Sequence, residues 1–464
     1  MNRADAVAKA QDYFDSGRFM TDLGRRVAIP TASQEPERAG ALSDYLEGEM
    51  RPTFEALGFR CRIIANPKGA GPFLIAERRE DPKLPTVFSY GHGDVIRGQE
   101  AEWRSGLSPW TLTREGDRLY GRGTADNKGQ HTINIAALEA VLKTRGKLGF
   151  NAVFLIETGE EVGSPGLREV IEANRDVFAA DLLLASDGPR LAPSRPTIFM
   201  GARGAINFDL TCDLRPGGHH SGNWGGLLAN PGILLAHAIA SIVGRRGEIL
   251  LPALKPKELS ASVKKALADC EVDGGSDGPL IDTWWGEPGL SPPEKVYGWN
   301  SFEVLAFKTG NPERPVNAIP GRASAHCQIR FTVDTDPNAF IPALERHFKS
   351  LGLAQVKIAR SRDGYFPATR LDPEHPTAQW AAASVRATTN ADPCLLPNLG
   401  GSLPNDLFAD VLGLPTIWVP HSYGACSQHA PDEHMLVPVV KEGLRIMAGL
   451  FWDLGAGKLP RRKS

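Results

Sequence analysis

Five separated stretches carry residue types that bind cations or move protons. His92 and Asp94 stand two apart in "YGHGDV", and Asp126 closes the glycine-rich "LYGRGTADNKG". Glu160 and Glu161 are adjacent in "ETGEEVGSPG", Asp187 lies in "LLLASDGP", and His429 lies in "CSQHAPDEH". On an extended chain residues two apart share a face, so the Asp94 carboxylate can accept a hydrogen bond from the His92 ring nitrogen that faces away from a metal, fixing its tautomer. The glycine run lacks Walker-A spacing and the order GxGxxG, which favours carboxylate placement over a phosphate cradle. Singly, each residue reads as a helix cap, a turn or a surface group. Together, oxygen and nitrogen donors without cysteine suit a hydrolytic zinc, cobalt or manganese centre. A two-metal site needs a bridging acid, one histidine and one acid per ion, and a further carboxylate to shuttle a proton. His92, Asp126, Glu160, Glu161, Asp187 and His429 meet that count.

The elements that must position these groups are legible as short apolar runs bounded by turn residues. "FLIAER" at 73–78, "TVFSY" at 86–90, "AVFLIE" at 152–157, "DLLLAS" at 181–186 and "TIWVP" at 416–420 read as buried strands. Between them, "NIAALEAVLKT" places Ile135, Leu138, Val141 and Leu142 on one helical face. Buried strands alternating with helices predict an α/β core with a largely parallel sheet, whose ligands gather at the carboxyl ends of the strands. An extended strand would send Glu160 and Glu161 to opposite faces, so the pair must sit in the turn beyond the strand. Glu157, still inside the strand, has no assignable role.

Two segments differ in style. "AINFDLTCDL" alternates Ile206, Phe208, Leu210, Cys212 and Leu214 with polar residues. "SAHCQIRFTV" alternates Ala325, Cys327, Ile329, Phe331 and Val333 with His326, Gln328, Arg330 and Thr332. Half-polar strands of this kind belong to an antiparallel sheet with one open face. A catalytic domain over 1–204 and 365–464, interrupted by a second domain over 205–364, is the expected organisation.

With 464 residues, 42% of them hydrophobic, and a net charge of −2, the chain reads as a globular protein of several cores without the basic footprint of a nucleic-acid or membrane binder. The tail "PRRKS" reads as solvated. The N-terminus lacks the pattern of a signal peptide, and no run approaches membrane-spanning length. Six cysteines without CxxC spacing predict reduced thiols and a cytoplasmic location.

The motifs above, with "HHSG", "NAIPGRASA" and "GGS", occur in the order seen in the aminoacylase, carnosinase and glutamate carboxypeptidase family of dinuclear metallopeptidases, which the chain resembles from about residue 80 to its end. The segments "LYGRGTADNKG" and "HHSGNWGG" look most like the carnosinase and cytosolic nonspecific dipeptidase branch. The resemblance implies a zinc-exopeptidase-like catalytic domain and an inserted ferredoxin-like lid. It implies that His92 and Asp187 bind one Zn2+, that Glu161 and His429 bind the other, and that Asp126 bridges them, with Co2+ or Mn2+ as alternatives. Asp94 would orient His92, Glu160 would be the general base, and the Asp126–Asn127 peptide bond would be cis. His220, with His219 as competitor, would stabilise the oxyanion from a partner subunit of a homodimer. Arg330 would bind a substrate carboxylate, while Asn317 and Ser402 would line the substrate end.

These expectations describe hydrolysis of a dipeptide or N-acyl amino acid. An N-carbamoyl amide is the alternative of the same class, and an inactive ligand-binding relative is the alternative of a different one. The stretch 245–300 matches no motif. Its Trp284, Trp285 and Trp299 read either as an aromatic substrate wall or as packing, and Cys426 reads as a small buried thiol.

Overall fold

The structure, a computed structural model, describes residues 1–272, 278–361 and 365–460. Residues 461–464 of the basic tail lie outside the described residues. Twelve strands carry the argument. They are β1 (Arg60–Ile64), β2 (Phe73–Arg78), β3 (Thr86–His92), β4 (Asn151–Glu157), β5 (Leu182–Ala185) and β6 (Thr197–Phe199). There follow β7 (Gly204–Asp213), β8 (Ser301–Thr309), β9 (Arg322–Phe331), β10 (Val356–Arg360), β11 (Cys394–Leu396) and β12 (Thr416–Trp418). The expected buried runs all form strands of one eight-stranded sheet in the order β1-β2-β4-β3-β5-β12-β6-β11.

That sheet is mixed, with its parallel strands at the centre. β4, β3, β5 and β12 run parallel through its centre, as do β6 and β11 at one edge. β2 runs antiparallel to both of its neighbours, β1 and β4, and β12 meets β6 antiparallel at one residue pair. The reason is chain length, since the short connection between β1 and β2 cannot contain the dozen or more residues of a parallel crossover. The run "FLIAER" is buried in either direction, so its sequence carries no signal of orientation.

The helix Lys128–Arg145 lies against this sheet with nearly every side chain buried, and it ends on Gly146 in the left-handed conformation, φ 80°. Ile133, Leu138 and Val141 join Leu444, Met447 and Phe451 of the helix Val437–Gly455 and Ala6 and Ala10 of the helix Arg3–Asp15 in one core. A second core on the opposite face gathers Phe88, Tyr90, Phe408 and Trp418.

The alternating segments form the four-stranded antiparallel sheet β8-β9-β7-β10. With the helices Pro231–Ile242 and Phe340–Ser350 the chain order is β-α-β-β-α-β, the ferredoxin-like arrangement. Ile206, Phe208, Leu210, Cys327, Ile329 and Phe331 bury one face of the sheet against Leu235, Ile242, Phe340, Leu344 and Phe348 of those helices. Each such large side chain contributes about 1.5–3 kcal/mol on burial. Val333 is exposed instead of inward because the strand stops at Phe331. Part of the unplaced stretch packs elsewhere, with Leu259, Val263, Leu267 and Tyr297 belonging to the core of the main sheet.

One expectation is corrected. Cys270 and Cys394 form a disulfide, while Cys61, Cys212, Cys327 and Cys426 are free. The two lie 124 residues apart, a separation in which no local spacing could betray the pairing. Cysteine usage therefore no longer argues for a reducing compartment. Among the described residues no helix is long and apolar enough to cross a membrane.

Candidate metal centre

Three neighbouring parallel strands end at one edge of the main sheet, and each delivers a polar group there. His92 is the last residue of β3, Asp187 follows β5 by two residues, and one helical turn, Glu160–Val162, follows β4. Asp126 precedes the helix Lys128–Arg145, and its peptide bond to Asn127 is cis, as the resemblance implies. His429 arrives on a loop in which Ser427, His429 and Asp432 all have positive φ. Non-glycine residues held in that region are characteristic of functional sites.

The side chains converge. His92 Nε2 lies 2.8 Å from Asp126 Oδ1 and 3.7 Å from Asp187 Oδ2. His429 Nε2 lies 3.1 Å from Asp126 Oδ2 and 3.1 Å from Glu161 Oε2. Two groups able to hold an ion result, His92/Asp126/Asp187 and Asp126/Glu161/His429, and they share Asp126. The two groups bring together the five residues that the sequence nominated as ligands.

Electrostatics favours added cations here. Among the described residues, no lysine or arginine stands within 4.0 Å of Asp126, Glu160, Glu161 or Asp187. Buried Asp187 Oδ2 has no hydrogen-bond partner. His92 Nδ1 is 3.0 Å from the Asp94 carbonyl oxygen. With that nitrogen donating, Nε2 presents a lone pair to a carboxylate, which only a proton or a metal can reconcile. Burial works against a proton on His92, yet the Asp126 and Asp94 carboxylates raise its pKa well above the ordinary value. Hydrogen bonds donated by its ring to the Asp126 and Glu161 carboxylates raise that of His429 to about 11. Burial, then the Asp126 charge, pushes Glu161 up to about 7 and Asp187 up to about 6. Burial pushes Glu160 well above its usual value, with Glu161, Asp187 and Asp126 adding to the rise and His92 opposing it. A carboxylate-rich cluster that draws in positive charge fits two divalent ions, and the all-oxygen-and-nitrogen donor set fits hydrolytic metals.

Asp94 does more than expected, and by a different route. Its carboxylate is 3.5 Å from His92 Nδ1, longer than the contact made by its own carbonyl. The carboxylate instead accepts from Ser33 Oγ at 2.7 Å and from the backbone N–H groups of Glu160 and Glu161, each at 3.1 Å. This buried anion holds the turn that aims both glutamates at the cluster. Glu157 supports the same turn, because its Oε1 accepts from Tyr90 Oη at 2.6 Å and from Ser164 Oγ at 3.0 Å.

Sequence reasoning missed Arg122 and Glu433. Glu433 Oε1 accepts from the N–H groups of Gly123, Ala125 and Asp126 at 3.1, 2.9 and 3.0 Å, and Oε2 pairs with Arg122 Nη1 at 2.9 Å. The pair is buried beneath the Asp126 turn and sets its backbone. The only sequence signals are the "GRG" and "PDE" neighbours of Asp126 and His429. Asn127 also contributes, donating to the Ser186 carbonyl at 2.8 Å and so tying that turn to the end of β5.

The remaining candidates fall in two places. Arg330 Nη1 donates to Ser402 Oγ at 2.9 Å, joining β9 to the loop after β11. His220 and Asn317 sit together on the surface of the 205–364 segment, where Ser221 N–H donates to the Asn317 carbonyl at 2.9 Å. Neither makes a hydrogen bond to the acidic cluster within this chain. Trp284 and Trp285 are exposed and touch each other rather than the cluster, while Trp299 is half-buried. Cys426 is buried beside Ala125 and Tyr423, and burial pushes its thiol up to about 12, so it stays protonated.

A mixed α/β sheet with an acidic, histidine-containing cluster at the carboxyl ends of its strands, and a ferredoxin-like insert, defines a metallohydrolase class. The chain belongs to peptidase family M20/M25/M40, whose model matches residues 88–453. It is 36% identical over 300 residues to Beta-Ala-His dipeptidase of Mus musculus, an alignment covering 60% of this chain and 58% of that protein. It thus spans less than two thirds of the length of this relative and of its Rattus norvegicus counterpart. It is 25% identical over 476 residues to the Cys-Gly metallodipeptidase DUG1 of Candida albicans, covering 94% of this chain and 95% of that one. Among solved structures, the dipeptidase Dug1p of Saccharomyces cerevisiae superposes with a TM-score of 0.79 at 22% identity, over 98% of this chain and 99% of that one.

Proposed function

We propose that this chain is a dinuclear metal-dependent hydrolase that cleaves the amide bond of a dipeptide or N-acyl amino acid bearing a free carboxylate. The observation that carries this reading is the pair of three-residue groups sharing Asp126, with Glu160 beside them. The names of the relatives, Beta-Ala-His dipeptidase and Cys-Gly metallodipeptidase, support the substrate class. His92 and Asp187 would hold one ion, Glu161 and His429 the other, with Asp126 between; zinc suits the donor set best. When bound, such ions polarise a carbonyl and make water nucleophilic at neutral pH.

The work of the chain itself is positional and protolytic. Glu160, not needed as a ligand, takes the proton of the attacking water and returns it to the leaving amine. Its raised affinity for protons suits both steps. Arg330, held by Ser402 and by Gln328 Oε1 at 2.9 Å, offers a guanidinium fork to the substrate carboxylate. With a catalytic domain over 1–204 and 365–464 and a lid over 205–364, Arg330 would reach the substrate from the lid.

His220 completes the site from a second copy of the chain, which makes the enzyme a homodimer through the lid. Two features support this. His220 is exposed on the lid surface, and the lid's edge strand β8 exposes Val304, Leu305 and Phe307, an unusual row of apolar residues for a free edge.

Elemental analysis combined with kinetics tests the proposal. About two divalent ions per chain are expected, with dipeptide hydrolysis lost to chelator and restored by zinc, cobalt or manganese. Glu160→Gln should keep both ions and lose turnover by about 10²–10⁴-fold. Native protein that binds no metal, or a Glu160→Gln variant of near-normal activity, would overturn it.

A further inference from the structure

Four arginines are buried among the described residues, Arg26, Arg122, Arg190 and Arg203. Three are matched by acids, with Arg26 3.2 Å from Glu49, Arg122 2.9 Å from Glu433, and Arg190 paired to Glu442. Arg203 is the exception. Its Nε donates to the Gly400 carbonyl at 2.9 Å and its Nη1 to the Trp299 carbonyl at 3.4 Å. No carboxylate lies within ion-pair distance of it among the described residues, and Nη2 has no protein partner there. Glu303 acts on it only at longer range.

A second guanidinium without an acid partner among the described residues lies within range of its charge. Arg330 is half-buried and bonded only to neutral partners, Gln328 Oε1 and Ser402 Oγ, each at 2.9 Å. The Ser402 hydroxyl in turn donates to the Arg203 carbonyl at 2.8 Å, so both arginines grip the same loop. Burial, with the Arg330 charge adding, pushes Arg203 down to about 10. The loop also adjoins the acidic cluster. Arg203 N–H donates to the Leu399 carbonyl at 3.0 Å, and a Cβ on Gly188, the residue after Asp187, would lie 3.1 Å from Leu399 Cδ2.

Two adjacent, desolvated positive charges repel each other, and buried charges without partners are costly. A single carboxylate balances one of them, whereas two carboxylates balance both. We propose that Arg203 and Arg330 form a two-guanidinium pocket that selects substrates whose carboxyl-terminal residue is acidic, Arg330 taking the α-carboxylate and Arg203 the side-chain carboxylate of a terminal Glu or Asp. This rests on the hydrolase reading above and names the substrate class within it.

The test compares Ala-Glu with its neutral isostere Ala-Gln on the metal-loaded enzyme. kcat/KM should favour Ala-Glu by about 10-fold or more, through KM, and that ratio should fall towards one in Arg203→Met. Arg203→Lys, which keeps the charge without the fork, should retain part of the ratio and stands in if the methionine variant does not fold. Equal kcat/KM for the two peptides in the parent enzyme overturns the proposal. So does an Arg203→Met variant that weakens both peptides alike, since that places both guanidiniums on one carboxylate. Calorimetric titration with free L-glutamate and L-glutamine separates this pocket from the hydrolase reading. Tighter glutamate binding that disappears in Arg203→Met upholds the pocket even if no dipeptide is cleaved, and equal binding of the two overturns it.

Discussion

Replacing Asp94 by asparagine separates two ways in which this residue can serve the cluster. Its buried carboxylate accepts three hydrogen bonds, from Ser33 Oγ and from the N–H groups of Glu160 and Glu161. Asparagine keeps one acceptor oxygen and turns an amide NH2 towards the other donors. The Ser33 hydroxyl can rotate to accept from that NH2, but a backbone N–H cannot. One of the two glutamate N–H groups is therefore left unpaired, which costs about 1–3 kcal/mol, and the other loses its charge-assisted partner, worth about 1 kcal/mol more. The variant should be less stable by about 2–4 kcal/mol in urea unfolding. The His92 ring keeps its contact, because that contact is made by the Asp94 carbonyl at 3.0 Å. The loss of metal affinity, about 10–100-fold for a supporting residue of this kind, should therefore fall on the ion that Glu161 is proposed to hold. A double-mutant cycle reads this directly, since Asp94→Asn should cost little further metal in a Glu161→Ala background. Stability within about 0.5 kcal/mol of the parent, or fully additive metal losses in the cycle, would refute the reasoning.

Other outcomes follow from the same network. Buried Glu157 keeps its proton up to about pH 7, against an ordinary value of 4.5, because burial and then the Asp94 charge disfavour its anion. The folded state thus binds a proton that the unfolded chain has released. Stability from this group is full below about pH 4.5 and is lost as pH rises to 7, by up to about 3 kcal/mol; urea midpoints across that window should flatten in Glu157→Gln. Glu433→Ala strands Arg122 and unpins three backbone N–H groups, and should cost about 3–5 kcal/mol in the same assay. Thiol titration in denaturant should find four reactive cysteines without reductant and six with it, where six in both would refute the Cys270–Cys394 pair.

Much of the site was legible because its chemistry is written in residue types at strand exits. Apolar runs mark where buried strands stop, and polar residues just beyond them have little reason to be there unless the sheet edge uses them. His92, Glu160, Glu161 and Asp187 were readable on that basis, and the alternation of 205–214 and 324–333 gave the lid its antiparallel sheet. The direction of β2 was not readable, since burial is the same for either orientation. Arg122 and Glu433 escaped notice for a related reason, because their role arises from a contact across 311 residues of chain.

The sequence by itself determined the element types and the inventory of donors, since periodicity and side-chain chemistry are local properties. Only the tertiary structure decided how that inventory is divided and supported. Distances of about 3 Å between His92, Asp126, His429 and Glu161 depend on three strands ending side by side and on a loop returning from the far end of the chain. So do the anchoring of Glu160 and Glu161 by Asp94, the disulfide, and the absence, among the described residues, of any acid within ion-pair distance of Arg203. Each is a relation between residues remote in the chain, fixed by packing rather than by neighbours in sequence.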